Sequence, residues 1–579
     1  MVCRYKSAVR LLLLLLGYCV VLQAVERPNI LWITAEDMSP TLGCYGDTFA
    51  TTPNIDKLAK EGVLYSNAFA NAPVCSPSRS CLITGCYPTS LSTQQMRSGF
   101  SIPKHMRGFP ALLRDQGYFT TNNVKTDYNT ANYKQIIEAS WSENSNSAHW
   151  RNRPEVSQPF FSIFNLMTSH QSRSMVWPFK QFKKEIQSQI LPEDIHDPAG
   201  APLPPYYPDT PLIRREMARY YDCVTAMDIQ VGIILKQLKD DNLKDNTIIF
   251  FFSDHGSGMP RHKRALLDSG MHVPLIIYFP KKWQHLSPSK PGYTTESLVS
   301  FVDFASTILN LTGIPSPITM QGKPFLGPNV TTKRRYVYGH RDRVDEVRDL
   351  ARSVRDYRYL YIRNYMPHLG YNQPTAWPDK GEIRHEFYRL AKEKNMTPEQ
   401  WHFAGPNRPV EELYDCLNDP KNLKNLAKSK KHKNILGRLR SEHIRHITDT
   451  VDLGFLPESE AWKMFGKRSG WELGQSKSIP LNEIRTAAAQ VGIAIESELL
   501  KNLESENSVV RYWGAIGLTA QKTISNKAKR ILKTKLKDSS HAARIEIANA
   551  LAVHNELNEA LPALTAAVNH ENLIVVTHA

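Results

Sequence analysis

Cysteine is scarce in this chain, with 8 residues in 579. Cys3 and Cys19 fall in a basic, leucine-rich opening, residues 1–24, that reads as a secretory signal peptide and would leave with it. Six remain (Cys44, Cys75, Cys81, Cys86, Cys223 and Cys416), and no pairing can be read from them. Long hydrophobic runs are also missing. The stretch from Leu11 to Ala24 is too short to span a bilayer comfortably, and no later stretch is longer, which excludes a stable membrane span. Bulky Tyr18 argues against a lipoprotein anchor at Cys19. Acidic residues are outnumbered, 56 against 72 Lys and Arg, for a formal charge of +16 and a pI near 9.3. A basic exported chain points to an anionic partner: a sulfated glycan, a membrane surface or nucleic acid. Zinc-finger spacing, an RNP-like aromatic motif and a helix-turn-helix signal are all absent, which sets nucleic acid aside. Much of the positive excess lies in Lys421–Arg445, which reads as one solvated helix face.

At this length the chain holds more than one domain. Asn29–Ala35 is a short apolar run ending in Glu36-Asp37, the pattern of a buried parallel strand whose carboxyl end gathers ligands. Thr52-Pro53 opens a helix with Ile55, Leu58 and Ala59 on one side, closed by Gly62, and Val63–Phe69 returns as a strand. Further on, Phe109–Gln116 reads as a helix, and Tyr118–Val124 and Pro159–Leu166 read as strands, the latter running out at His170. Phe179–Pro211 is rich in proline and charge and is expected to be a long surface loop. A helix over about Leu212–Asn242 follows, then the strand Thr247–Ser253 ending at Asp254-His255-Gly256, the strand Val273–Phe279 and the helix Phe301–Leu311. This β/α alternation argues for a mostly parallel sheet covered on both faces. From Tyr336 short strands (Tyr336–His340, Ala351–Val354, Tyr357–Ile362) and a helical segment to about His446 form a smaller subdomain. Thr448–Pro480 is a linker or strap. In the tail, Asn507-Ser508-Val509-Val510-Arg511 and Ser540-His541-Ala542-Ala543-Arg544 open similar helices 33 residues apart, and Asn572-Leu573-Ile574-Val575 starts a third unit. Stacked helix pairs of this kind, similar to HEAT repeats, bury a face that one pair alone cannot.

The residues with the strongest chemical signal are Cys75-Ser-Pro-Ser-Arg-Ser-Cys-Leu-Ile-Thr-Gly85. Pro77 suits a first helical turn and Thr84-Gly85 a helix stop, so Cys75 sits at the positive end of a short helix, where backbone N–H groups favour an anion. Arg79, one turn along, adds fixed positive charge. An isolated cysteine in an exported chain is ordinarily half of a disulfide. Here Cys-x-Pro-x-Arg followed by Leu-Ile-Thr-Gly resembles the signature of the type I sulfatases, whose cysteine is oxidised to formylglycine and whose hydrate is the nucleophile. Modification of Cys75 would leave five cysteines, an odd set.

The resemblance covers roughly residues 28–427 and leans toward the heparan N-sulfatase (N-sulfoglucosamine sulfohydrolase)-like branch, partly through the Tyr206–Pro211 loop. It implies an alkaline-phosphatase-like α/β fold: residues 25–330 as catalytic domain, 331–447 as an α+β subdomain closed by Glu412-Leu413-Tyr414-Asp415, 448–480 as linker and 481–579 as an all-α HEAT-like tail. Glu36-Asp37 and Asp254-His255 match the family's metal-binding pairs, with Cys75 beside them. Hard oxygen ligands suit Ca²⁺ or Mg²⁺. Glu36 stands where the family has Asp, and His255 where it has Asn or Asp; imidazole suits transition metals better. Ca²⁺ is the expected ion, with His255 as the departure. Lys125 matches the lysine of the family's Gly-Lys-x-His segment, while Asp127 replaces its histidine and could accept the same proton. His170 matches the histidine that protonates the leaving group. Lys263, nine residues after Asp254, matches a sulfate-binding cation, with Arg261 and Arg264 as competitors. Arg341, Arg343, Asp345 and Glu346 are candidate contacts to sugar hydroxyls and carboxylates, although alternating charges usually form surface ion pairs.

The resemblance therefore implies an exported (periplasmic or secreted) sulfatase acting on a sulfated glycan, matured by a formylglycine-generating enzyme, with the tail as a surface for a protein partner. A phosphonate monoester or phosphodiester hydrolase of the same superfamily, and a non-catalytic glycan-binding scaffold, are the alternatives.

Overall fold

Alternation along the first strand sets the layering. The computed structural model describes residues 26–330 and 332–578, so the expected signal peptide, residues 1–24, lies outside the described residues. In β1 (Asn29–Ala35), Ile30 and Trp32 point to one side of the sheet and Leu31 and Ile33 to the other, and all four are buried. Buried on both faces, such a strand reads as continuous apolar sequence. The parallel neighbours β5 (Phe160–Leu166) and β6 (Thr247–Ser253) flank it, with Ala35 opposite both Leu166 and Ser253. That register brings three strand ends to one edge, which is where the candidate residues lie.

The complete sheet has nine strands. Beyond β5 come β3 (Phe119–Asn123) and the short β4 (Glu143–Asn144), both parallel. Beyond β6 the order is β8 (Leu275–Tyr278), β2 (Val63–Phe69) and β7 (His272–Val273), with β9 (Thr294–Ser300) parallel to β2. The expected strand Val273–Phe279 is divided at Pro274, which has no N–H to give a ladder, and both pieces pair antiparallel. One face is covered by α1 (Pro53–Glu61) and α3 (Pro211–Asp240), whose Tyr220, Val224 and Met227 are buried against it. The other is covered by α2 (Cys75–Thr84) and α4 (Val302–Leu311). A second, antiparallel sheet runs β10 (Val337–Arg341), β11 (Ala351–Arg355), β12 (Tyr359–Asn364), β13 (Glu411–Asp415), backed by α5 (Lys433–Asp449).

Three expectations are revised. Residues 179–211 are not a plain loop: a short helix, Phe179–Glu185, and three 3₁₀ turns bury Phe182, Ile186 and Ile190 against Cys223 and Ala226. The apolar spacing of Phe182, Ile186 and Ile190 was masked by the charged and proline residues between them. Tyr206 and Tyr207 are buried too, pinned by Tyr206 Oη to His262 Nε2 at 3.0 Å and by Tyr207 donating to the Pro260 carbonyl at 2.7 Å. The lysines of residues 421–431 precede α5 rather than lying along it, while Arg438, Arg440 and Arg445 on the helix are ion-paired with Asp356, Glu411 and Glu442.

Residues 448–480 carry α6 (Glu458–Phe465) and a second short helix, and the tail after them is helical throughout. Within it α7 (Ser508–Thr519) and α8 (His541–Val553) pack side by side, and α9 (Leu573–His578) is the last described helix. One apolar core unites Tyr365 and Met366 of the small subdomain, Phe455 and Leu456 of the strap, and Trp513 and Ile516 of the tail. Trp513 donates its indole N–H to the Phe455 carbonyl at 3.0 Å.

Candidate active site

Cys75 occupies the first turn of α2, with Gly85 left-handed at the other end (φ 66°). Its Sγ lies 3.2 Å from Lys263 Nζ, 3.3 Å from His255 Nε2 and 3.6 Å from Asp37 Oδ1. Burial pushes the thiol pKa up, but Lys125 and Lys263 outweigh it and bring the value below that of an ordinary cysteine. Among the described residues all six cysteines are free thiols.

Around Cys75 the ends of β1 and β6 deliver Glu36, Asp37, Asp254 and His255, all fully buried. Asp37 adopts a left-handed backbone (φ 50°), uncommon for a non-glycine residue and typical of functional turns. Lys263 Nζ holds both its oxygens, at 2.7 and 2.8 Å, and the Gln171 N–H donates to Oδ2 at 2.8 Å. Burial raises the Asp37 pKa, but Lys263 and the two histidines hold it well below the carboxylate range. Glu36 ion-pairs with both Arg79 and Lys125. Arg79 also donates to Asn165 Oδ1 at 2.8 Å and approaches Asp254 Oδ2 at 3.5 Å. His255 donates from Nδ1 to the Gly256 carbonyl at 2.8 Å, which turns Nε2 toward Asp37 Oδ1, 3.0 Å away. Burial lowers its pKa, yet Asp254 and Asp37 carry it up to about 10.

The donor set fits a divalent cation. Asp254 Oδ2 is buried with no hydrogen-bond partner, and burial with the nearby Glu36 charge pushes this carboxyl up to about 7. Asp37, Cys75, Asp254 and His255 each bring a ligand atom within 4.8 Å of the others, and Glu36, Asp37, Cys75 and His170 form an overlapping group. A buried carboxylate oxygen without a donor, amid further carboxylates, is what a hard cation satisfies.

The remaining candidates separate by geometry. His170 is near: Nε2 lies 3.9 Å from Asp37 Oδ2, and Nδ1 is 2.8 Å from Ser172 Oγ. Burial drives its pKa down to about 4 despite the Asp37 charge. Lys263 is the cation of its loop that reaches the site. Arg261 stacks on Tyr206, 4.1 Å from the ring centre, and Arg264 binds Gln171 Oε1 and Asp345 Oδ2 at 3.1 and 2.9 Å. Asp127 is on the rim, 3.9 Å from Lys125 Nζ, with no hydrogen bond to Cys75. Asp345 is linked to the site through Arg264. Arg341 is buried at 3.4 Å from Asp349, Arg343 is held by Glu458 at 2.9 Å, and Glu346 accepts from the Ala376 N–H. These four residues are therefore not one cluster around the reactive centre.

Sequence reading missed Asn165 and Gln171. Asn165 accepts from Arg79 and from Thr34, and donates to Asn122. An amide near the end of the otherwise apolar Phe160–Leu166 was the available signal. Gln171 ties Asp37, Gly258 and Arg264 together and has no local signal, since its partners are distant in sequence.

A mostly parallel α/β sheet with a buried carboxylate cluster at its strand ends and a cysteine at a helix N-terminus is an alkaline-phosphatase-like architecture. Residues 28–314 match the sulfatase family, and residues 260–373 match the N-sulphoglucosamine sulphohydrolase C-terminal family. The chain is 39% identical over 479 residues to an ulvan-active sulfatase of Formosa agariphila, covering 76% of this chain and 78% of that protein. The chain belongs to the sulfatase family, and it is a sulfuric ester hydrolase. A protein solved with D-glucosamine-2-N,6-O-disulfate shares the fold at a TM-score of 0.52 and 18% identity, covering 74% of this chain and 99% of that one. A phosphonate monoester hydrolase from Silicibacter pomeroyi does so at 0.52 and 16%, covering 74% and 97%. No helix among the described residues is long and apolar enough to cross a membrane.

Proposed function

We propose that this sulfatase is exported and releases sulfate from a sulfated polysaccharide or oligosaccharide, using formylglycine made from Cys75 by a formylglycine-generating enzyme. The observation that carries this reading is the position of Cys75 Sγ, within 3.3 Å of both Lys263 and His255 at the positive end of α2. Hydrated formylglycine would supply one hydroxyl to attack sulfur and a second whose deprotonation expels sulfate. A divalent cation held by Glu36, Asp37, Asp254 and His255 would polarise the ester as a Lewis acid.

The chain's own residues do the rest. Lys263 and Lys125 bring positive charge to the sulfate oxygens, as do the N–H groups of α2. Arg79, locked onto Glu36 and Asn165, orients the carboxylates and adds charge behind Cys75. His255, with Nδ1 committed to the Gly256 carbonyl, would offer Nε2 to the cation beside the nucleophile. His170 carries the proton for the leaving oxygen; burial disfavours its charged form, and an anionic ester bound beside it would favour the protonated ring that donates. Asp127, with no hydrogen bond to Cys75, serves best as the charge partner of Lys125. Ca²⁺ or Mg²⁺ suits the three carboxylates, while His255 extends the range to transition metals.

The N-sulphoglucosamine-type C-terminal match and the ulvan-active relative both support a glycan substrate. The phosphonate and phosphodiester alternative has only likeness of fold behind it. A panel of ulvan, heparan, carrageenan and fucoidan oligosaccharides, with free sulfate measured by ion chromatography, tests the proposal. Sulfate release from at least one, absent in Cys75→Ala, is the expected result. Turnover confined to aryl phosphonates or small lipophilic sulfates would refute it.

A further inference from the structure

A cavity of about 260 Å³ lies between the catalytic domain and the tail. Its lining includes Arg97, Arg343, Arg348, Trp462, Tyr512 and Trp513. We infer that this cavity is a subsite for the sugar unit next to the sulfated one, and that Arg97 and Trp462 select an anionic unit there. The inference rests on the glycan reading above and extends it.

Position is the first argument. Asp345 Oδ2 accepts from Arg264, which holds Gln171, whose N–H holds Asp37. Arg97 approaches the other oxygen of the same Asp345 at 3.9 Å. Asp345, Arg264 and Gln171 therefore link the cavity to Asp37 in one continuous series of contacts, the route the next unit of a bound chain would follow.

Charge is the second. Arg343 is neutralised by Glu458, Arg348 by Glu546 and Asp349 by Arg408. Arg97 differs: its side chain is 77% exposed and its one ionic contact is long and shared with Arg264. It is the cation at this cavity left to bind an incoming carboxylate or sulfate, by the two-pronged geometry guanidinium favours. Its backbone is left-handed (φ 57°), and the turn is fixed by Ser98 N–H donating to Asn129 Oδ1 at 3.0 Å and Met96 N–H to the Arg343 carbonyl at 2.9 Å. The backbone at Arg97 is thereby fixed at the cavity lip, while its side chain stays free to meet a ligand.

The third is the aromatic surface. Trp462 stacks one face on Phe100 (4.6 Å, 28°), with its ring so near Gly99 that a Cβ there would lie 2.9 Å from Cζ2. It remains 39% exposed. A rigid indole with a free face suits the apolar C–H face of a pyranose, beside a cation for its acidic group. The tail closes the far side, which gives it a part in substrate choice.

The test uses the whole enzyme and three substrates: 4-nitrophenyl sulfate, a sulfated oligosaccharide with a neighbouring uronate, and the same oligosaccharide with that uronate reduced to the neutral sugar. Arg97→Ala should lower kcat/KM on the uronate oligosaccharide about tenfold more than on 4-nitrophenyl sulfate, the scale of a lost charged hydrogen bond, and erase the preference for uronate over reduced sugar. Trp462→Ala should lower both oligosaccharides relative to the aryl ester. Unchanged ratios in both variants would overturn the subsite while leaving the sulfatase reading intact. If wild type turns over no oligosaccharide, the glycan reading fails instead; calorimetric titration of the uronate oligosaccharide into Cys75→Ala then decides the subsite. Binding weakened about tenfold by adding Arg97→Ala supports it, and equal binding refutes it.

Discussion

Asp452→Asn should destabilise the protein by about 2–3 kcal/mol at neutral pH. Asp452 lies in the strap and is fully buried; Arg352 of β11 grips it from Nε at 2.6 Å and Nη2 at 3.0 Å. The Gly454 N–H donates to Oδ1 at 2.9 Å, and Arg485 of the tail donates to the Asp452 carbonyl at 3.1 Å. Burial opposes ionisation, but Arg352 more than offsets it and holds the carboxyl at about 2 against an ordinary 3.8. A carboxylate with a depressed folded pKa stabilises the fold above its unfolded pKa and loses that contribution as pH falls through the folded value. Its charged partners are arginines, which stay protonated throughout, so the window belongs to Asp452. The gap between wild type and Asp452→Asn should be full above about pH 5 and close between about pH 4 and pH 2. Urea unfolding of both proteins at stepped pH, followed by tryptophan fluorescence, measures it. A loss under about 0.5 kcal/mol, the range of ordinary surface changes, would refute the reasoning. So would a gap that stays constant to pH 3.

Three further outcomes follow from the site. His170→Ala should depress turnover of sugar sulfates about 10²–10⁴-fold and that of 4-nitrophenyl sulfate far less, because a good leaving group needs no acid; equal losses on both esters would remove the proton-donor role. Asp254→Asn should weaken divalent-cation affinity by at least about 10–100-fold, read by isothermal titration into chelator-treated protein, since loss of even an outer partner costs that much; unaltered affinity would place the ion elsewhere. Gly256→Ala should cut activity sharply with a smaller effect on stability, because its Cβ would lie 2.2 Å from the Ser269 carbonyl oxygen and displace the neighbouring His255; wild-type kinetics would show that this turn can move without consequence.

How much was legible in the sequence depends on how local each cause is. β1 and β6 are read directly because strands buried on both faces are nearly continuous apolar runs with turn residues at their ends. The Cys75 helix is equally local, with Pro77 in its first turn and Gly85 beyond its end. β9 opens Thr-Thr-Glu-Ser with exposed side chains and carries no such pattern, so only its pairing with β2 makes it a strand. The gathering of Glu36, Asp37, Asp254, His255 and Lys263 around Cys75 follows from strand ends and a family-like spacing. Gln171 acts entirely through distant partners. Arg343 and Glu346 look available in sequence, but Glu458 and the Ala376 N–H, far along the chain, have taken them. The tail misleads in the same way: its repeat period suggests a separable unit, while Trp513 and Phe455 place it in a core shared with the small subdomain.

The central claim is the conversion of Cys75, and peptide mass spectrometry of protein purified from a host that carries a formylglycine-generating enzyme tests it most directly. The account predicts that the peptide spanning Cys75–Arg79 carries an aldehyde in place of the thiol, in proportion to the sulfatase activity of the preparation. Active protein in which that peptide contains only cysteine, as thiol or disulfide, would contradict it.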